Sequence, residues 1–149
     1  MTPIKNILCP TDFSPCSDAA VSLAVELAAR MGAAVALVHV FQVPIYVGWE
    51  DGPAALAATT QFLDESRKRA TVLLDALRAK CAQQGIVVTA RQVDGLPHLQ
   101  IAELSEHADL VVMGTHGRTG VSHLMLGSVA ERVVRLSKCP VMTVPVRPA

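Results

Sequence analysis

Gly114-Thr115-His116-Gly117-Arg118-Thr119-Gly120 continues through Val121 to Leu126 into Gly127-Ser128. The segment lies between a short apolar run, Leu110 to Met113, and a stretch where Val129, Val133, Val134 and Leu136 recur at helical spacing. The run before it predicts a buried strand and the stretch after it a helix. Its spacing is Gly-x2-Gly-x9-Gly-Ser. At such a junction unpaired backbone N–H groups and the positive end of the helix dipole favour an anion, and glycines let the backbone approach it closely. A phosphate chain is the natural guest. Arg118 adds a charge that can hold phosphate oxygens in a bidentate pair, and His116 can donate whether neutral or protonated. A plainer reading also fits: the glycines make turns, and Ser128-Val-Ala-Glu131 is a capping box that satisfies Ser128 within the helix.

Upstream, Ile4 to Pro10 predicts a first strand, and Thr11-Asp12-Phe13-Ser14-Pro15 a turn in which Ser14 caps a helix with Pro15 at its first position. Ala20, Leu23, Ala24, Leu27 and Met31 mark that helix's apolar face, and Gly32 ends it. Ala33 to Phe41 is a nearly unbroken apolar run, as in a parallel strand covered on both faces. Gln42 to Pro53, with Tyr46, Val47 and Trp49, reads as an irregular loop long enough to fold over a site or partner. Leu56, Leu63, Ala70, Leu74, Leu77 and Cys81 then keep one face of a long helix that Gly85 closes, with favourable pairs Asp64–Lys68 and Glu65–Arg69. Ile86 to Val93 is a third strand, and Ile101, Leu104 and Ala108 one face of a short helix beyond Pro97. Val141 to Val144 is a fifth strand.

Strands that alternate with helices imply right-handed crossovers and an α/β architecture. The expected fold is a Rossmann-like, doubly wound, five-stranded parallel sheet with helices on both faces, one domain over residues 1–149. In such sheets ligands bind outside the carboxyl ends of the strands, where the strand order reverses. Those ends are Pro10 to Asp12, His39 to Phe41, Asp94, and Met113 to Gly117. Asp12 puts a carboxylate there, suited to ribose hydroxyls or an adenine amino group and equally to turn chemistry at the start of a helix. No Gly-x4-Gly-Lys-Ser/Thr loop occurs, and the first strand is followed by Pro10-Thr11-Asp12-Phe13 in place of Gly-x-Gly-x-x-Gly, which removes the dinucleotide dehydrogenase signature.

The 149 residues, 51% hydrophobic and 17% charged, are enough to bury a core, and this excludes intrinsic disorder. Thirteen basic residues balance thirteen acidic ones and aromatics are only 3%, so neither a polyanion-gathering field nor a base-stacking platform is available. Nucleic acid is not expected as a partner. No run approaches a membrane span, no export signal is visible, and a cytoplasmic location is expected. Cys9, Cys16, Cys81 and Cys139 show no metal or redox spacing and read as ordinary small apolar residues. His39, His98, His107, His116 and His123 share no ligand spacing, so no protein-bound metal is expected; His39 reads as a satisfied core histidine and Asp109, at the amino end of its strand, as structural.

The opening Ile7-Leu8-Cys9-Pro10-Thr11-Asp12-Phe13-Ser14, the run Leu37-Val38-His39-Val40, the segment Ala108 to Gly114, and above all Gly114 to Ser128 with Cys139-Pro140-Val141 resemble the universal stress protein family along the whole chain. The resemblance implies the Rossmann-like sheet and, in the branch that keeps every glycine as here, binding of ATP. By similarity Pro10, Thr11, Asp12 and the backbone of Val40 hold the adenosine end. Met113, Gly114, His116, Gly117 and Arg118 line the ribose and phosphate path, and Gly127, Ser128 and Val129 hold the phosphates. Mg2+ would be carried by phosphate oxygens and water. The family also implies a homodimer paired through the last strand, which would cover the apolar edge Val141 to Val144, although Pro145 and Pro148 alone can blunt that edge. Three roles stay open: a nucleotide-responsive regulator, a slow ATPase or phosphotransferase, and a dimeric scaffold that binds no nucleotide.

Overall fold

The computed structural model describes residues 3–43, 52–117 and 125–146. In chain order it contains β1 (Asn6–Pro10), α1 (Pro15–Met31), β2 (Ala34–Phe41), α2 (Gly52–Ala82), β3 (Val88–Asp94), α3 (Pro97–Leu104) with a 3-10 turn over Ser105–His107, β4 (Leu110–Gly114), α4 (Ser128–Leu136) and β5 (Val141–Val144). The strands form one parallel sheet in the order β3-β2-β1-β4-β5. The order reverses between β1 and β4, and the helices divide accordingly. One core joins Ile7, Val35, Leu37 and Val112 to Ala20, Ala24 and Ala28 of α1 and Leu74 and Cys81 of α2. The other joins Leu8, Val38, Val111 and Met113 to Ile101 of α3 and Ala130 and Val133 of α4. The Rossmann-like, doubly wound expectation is met.

Local chemistry sets the boundaries. Ser14 caps α1, its hydroxyl accepting from the Ser17 N–H at 3.2 Å, and Gly32 closes the helix in the left-handed conformation at φ 65°. The buried face of α1 differs from the expected one: Ser17, Ala20, Val21, Ala24 and Ala28 are buried, whereas Leu23 and Leu27 are only half-buried and Met31 is exposed. Alanines let the helix lie close on the sheet and turn its larger side chains to the flanks. Helix α2 begins at Gly52, inside the segment read as a loop, because Pro53 suits a first helical turn as well as a loop. Its 31 residues outrun the sheet, so Ala70, Leu74 and Cys81 of the expected stripe are buried while Leu56 stays exposed. Tyr46, Val47 and Trp49 of the expected loop, and His123, lie outside the described residues. Strands β1 and β3 begin at Asn6 and Val88, two residues later than the apolar runs begin. Asp109 ties the amino ends of β1 and β4 together by accepting from the Lys5 and Asn6 N–H groups at 2.9 Å each. Those two bonds hold its carboxyl below the usual range.

Candidate functional site

The turn after β1 is held by its own side chains. The Thr11 hydroxyl accepts from the Phe13 N–H at 3.0 Å and lies 3.1 Å from Ser17 Oγ, and Asp12 Oδ1 accepts from the Ser14 N–H at 3.1 Å. Asp12 therefore does perform turn chemistry, and its Oδ2 faces across the crevice: a Cβ built on Gly117 would lie 2.7 Å from it. The two loops touch at this point, and glycine makes the approach possible.

After β4 the chain leaves at Thr115 and returns at Gly127, where the Gly127 N–H donates to the Thr115 carbonyl at 2.8 Å. A Cβ on Gly127 would sit 2.8 Å from that same oxygen, so the closure requires glycine. Gly127 is also the N-cap of α4, with φ −62° and ψ 152°, and no side chain caps the helix. This corrects the capping-box reading. The helix starts one residue earlier than the box requires, so Ser128 is the first helical residue and its hydroxyl is not the cap. Among the described residues, the amino end of α4 thus presents its first N–H groups without a capping side chain.

Strand β2 supplies the third side. β1 ends at Pro10 opposite Val38, and His39 to Phe41 run past it, paired only with β3. Val38 O accepts from the Thr11 N–H at 2.8 Å on the β1 side, while Phe41 O accepts from the Gly95 N–H at 3.2 Å on the β3 side. Alternate residues of a parallel strand turn their backbone groups to the same neighbour, so Val40 points its N–H and C=O to the β1 side, beyond the last β1 residue.

These three sides enclose a cavity of about 740 Å3, within the range of small-molecule sites. Its lining includes Pro10, Thr11, Asp12, Val40, Met113, Gly114, His116, Gly117, Gly127, Ser128 and Val129 together. Arg118 lies outside the described residues. His116 holds Nδ1 2.9 Å from the Thr115 hydroxyl, and its Nε2 is buried with no hydrogen-bond partner among the described residues. His39 is buried, with Nδ1 2.8 Å from the Thr11 carbonyl, as its core reading required. Sequence reasoning missed the α2 wall, Ser66, Arg69, Ala70 and Leu73. Their spacing is that of one helix face, but nothing in it distinguished a cavity wall from an ordinary amphipathic helix. Arg69 reaches Glu65 only at 3.9 Å, the outer limit of an ion pair. The cysteines form no disulfide among the described residues, and burial is the main cause that pushes the Cys9, Cys81 and Cys139 thiols up, which keeps them protonated.

A family model described as the universal stress protein family matches residues 3–145. The chain belongs to the universal stress protein family. Universal stress protein MJ0531 of Methanocaldococcus jannaschii is 34% identical over 142 residues, spanning 94% of this chain and 81% of that protein. Among solved universal stress proteins, MJ0577 of the same organism superposes with a TM-score of 0.82 at 25% identity, covering 99% of this chain and 100% of the other. A universal stress protein in complex with cAMP superposes with a TM-score of 0.69 at 27% identity, covering 96% and 98%. Within the family's fold, the cavity lies at the carboxyl rim of the sheet, at the reversal between β1 and β4.

Proposed function

We propose that this universal stress protein binds ATP in the 740 Å3 cavity and works in the cytoplasm as a nucleotide-responsive regulatory dimer. The observation that carries this reading is the uncapped amino end of α4, set beside the closed glycine loop and opposite the backbone of Val40. A bare helix start favours the anionic end of a ligand, and a strand backbone with N–H and C=O on one side suits a base edge that both donates and accepts. Pro10 and Met113 offer apolar contact to the base, with Asp12 beside it; Thr11 contributes by shaping the wall, since its hydroxyl, N–H and carbonyl are all engaged within the protein. Gly114, His116 and Gly117 lie along the ribose and phosphate path, and Gly127, Ser128 and Val129 take the phosphates through N–H groups and the Ser128 hydroxyl. Arg118 is assigned to the phosphates from the sequence. The relative solved with cAMP supports an adenine nucleotide as the ligand class.

No group of three or more His, Cys, Asp or Glu side chains among the described residues is placed to hold a metal, so Mg2+ would bind through phosphate oxygens and water. A regulatory role fits this donor set, which offers charge-binding groups and, among the described residues, no dedicated water-positioning residue. The dimer would pair β5 across its open edge, where Met142 is exposed. Sedimentation should show a dimer that Met142→Lys weakens, and a wild-type monomer overturns that part. Prolonged incubation with ATP and Mg2+, followed by chromatography, should return the bound nucleotide intact. Steady release of ADP would replace the regulator with a slow ATPase, and no retained nucleotide would leave the scaffold.

A further inference from the structure

The cavity straddles the rim of the sheet, and its two halves have different walls. Along β2, Val35 and Leu37 join the core under α1 and α2, whereas Val38 and Val40 pack with the core under α3 and α4. Strand alternation puts His39 and Phe41 on the side of Val35 and Leu37. The Arg67 guanidinium of α2, 4.7 Å above the Phe41 ring, fixes the same assignment. The half of the cavity on this side is lined by Phe13, His39 and Phe41 and by Ser66, Arg69, Ala70 and Leu73 of α2. None of these belongs to the glycine motif or to the residues assigned to the nucleotide.

Apart from Ser66 and Arg69 the lining is apolar or aromatic, and it holds one buried polar ring, His39, only 6% exposed. Its Nδ1 lies 2.8 Å from the Thr11 carbonyl oxygen. A carbonyl can only accept, so Nδ1 carries a proton, and in the ring with a single proton the lone pair lies on Nε2. That nitrogen has no hydrogen-bond partner among the described residues. Phe13 packs on the imidazole with ring centroids 4.7 Å apart, and it does so from a left-handed backbone, φ 62°, that a bulky residue rarely adopts. Strained backbone, a fixed Nδ1 proton and a ring nitrogen that meets no protein donor among the described residues converge on one largely apolar recess at the cavity wall.

We propose that this recess is a second small-molecule subsite, which takes a planar aromatic heterocycle that donates one N–H to His39 Nε2. The flat ring packs against Phe13 and the Phe41, Ala70 and Leu73 wall, and the donor satisfies the acceptor that the protein leaves open. The subsite stands independently of the nucleotide reading.

Indole tests it, with 1-methylindole as the same ring lacking the donor. In 15N-labelled protein, indole at millimolar concentration should shift amides at residues 13, 39–41 and 66–73 saturably, and 1-methylindole should bind about tenfold more weakly. His39→Asn keeps a donor for the Thr11 carbonyl and removes Nε2, so it should bring the two probes to the same affinity. Ala70→Leu, which fills the recess, should abolish binding of both. Ser128→Ala should leave indole binding unchanged whatever it does to ATP, which separates failure of this subsite from failure of the nucleotide site. Equal binding of the two probes to the wild-type protein overturns the proposal, even if the variants do not fold. Shifts centred on residues 113–117 and 127–130, or no saturable shift, overturn it as well.

Discussion

The turn after β1 and the loop after β4 meet at one crevice and are held by different means. In the turn, the Thr11, Asp12 and Ser14 side chains satisfy the backbone N–H groups of Phe13, Ser14 and Ser17. In the loop, backbone closes on backbone through Gly127 and Thr115, and the helix that follows begins without a side-chain cap. A turn satisfied by its own side chains keeps its shape with or without a ligand. A loop that ends on a bare helix start leaves donors for one. Substitutions in the first should therefore act on stability, and substitutions in the second on binding.

The largest expected effect is at Gly127. Gly127→Val drives a side chain into the Thr115 carbonyl, and calorimetric titration should show ATP affinity reduced by more than about a hundredfold, with about 2 kcal/mol of stability lost in denaturant titration. Gly117→Val comes next. Its added atoms displace the Asp12 carboxylate while the exposed position of Gly117 leaves the core untouched, so affinity should fall about tenfold in a protein of near wild-type stability. Ser14→Ala removes the cap of α1 and should cost about 1 kcal/mol of stability while ATP affinity stays within twofold of wild type. Ser128→Ala is the converse. With Gly127 as the cap, stability should change by less than about 0.5 kcal/mol while affinity falls about threefold; a loss near 1 kcal/mol would restore Ser128 as the cap.

The smallest effect belongs to the opposite end of the sheet. Asp109 has its folded pKa lowered by the Lys5 and Asn6 N–H groups. Its contribution is therefore fully present above the unfolded carboxylate value of 3.8 and is lost as pH falls through the lower folded value. Asp109→Asn should flatten the acid limb of the stability curve and leave ATP binding untouched. Wild-type acid sensitivity in that variant would mean another carboxylate sets the limb.

The elements legible in the sequence were those with a local cause. Ser14 with Pro15 and Gly32 marked both ends of α1, and the unbroken apolar run of β2 announced a strand covered on both faces. The glycines placed the loop after β4. Ser128 was misread because Ser-x-x-Glu is also compatible with a helix that starts one residue earlier, and only the extended backbone of Gly127 decides between the two. The apolar face of α1 was misplaced because alanines and leucines both recur at helical spacing there, and close packing selected the alanines. The α2 wall was not legible at all. Ser66, Arg69, Ala70 and Leu73 reach the cavity only because a 31-residue helix crosses beside the rim of the sheet, a tertiary fact that spacing does not encode. His39 was half legible: its Nδ1 is satisfied as a core histidine's should be, and its Nε2 meets no hydrogen-bond partner among the described residues.

The most direct measurement is calorimetric titration of nucleotide-stripped protein with ATP and Mg2+, with GTP and AMP as controls, on the wild type and on Gly117→Val side by side. The expected result is saturable binding that prefers ATP and weakens in the folded variant. Absence of saturable binding to the wild type, or binding unchanged in a folded Gly117→Val protein, would contradict the assignment of the glycine loop to a nucleotide.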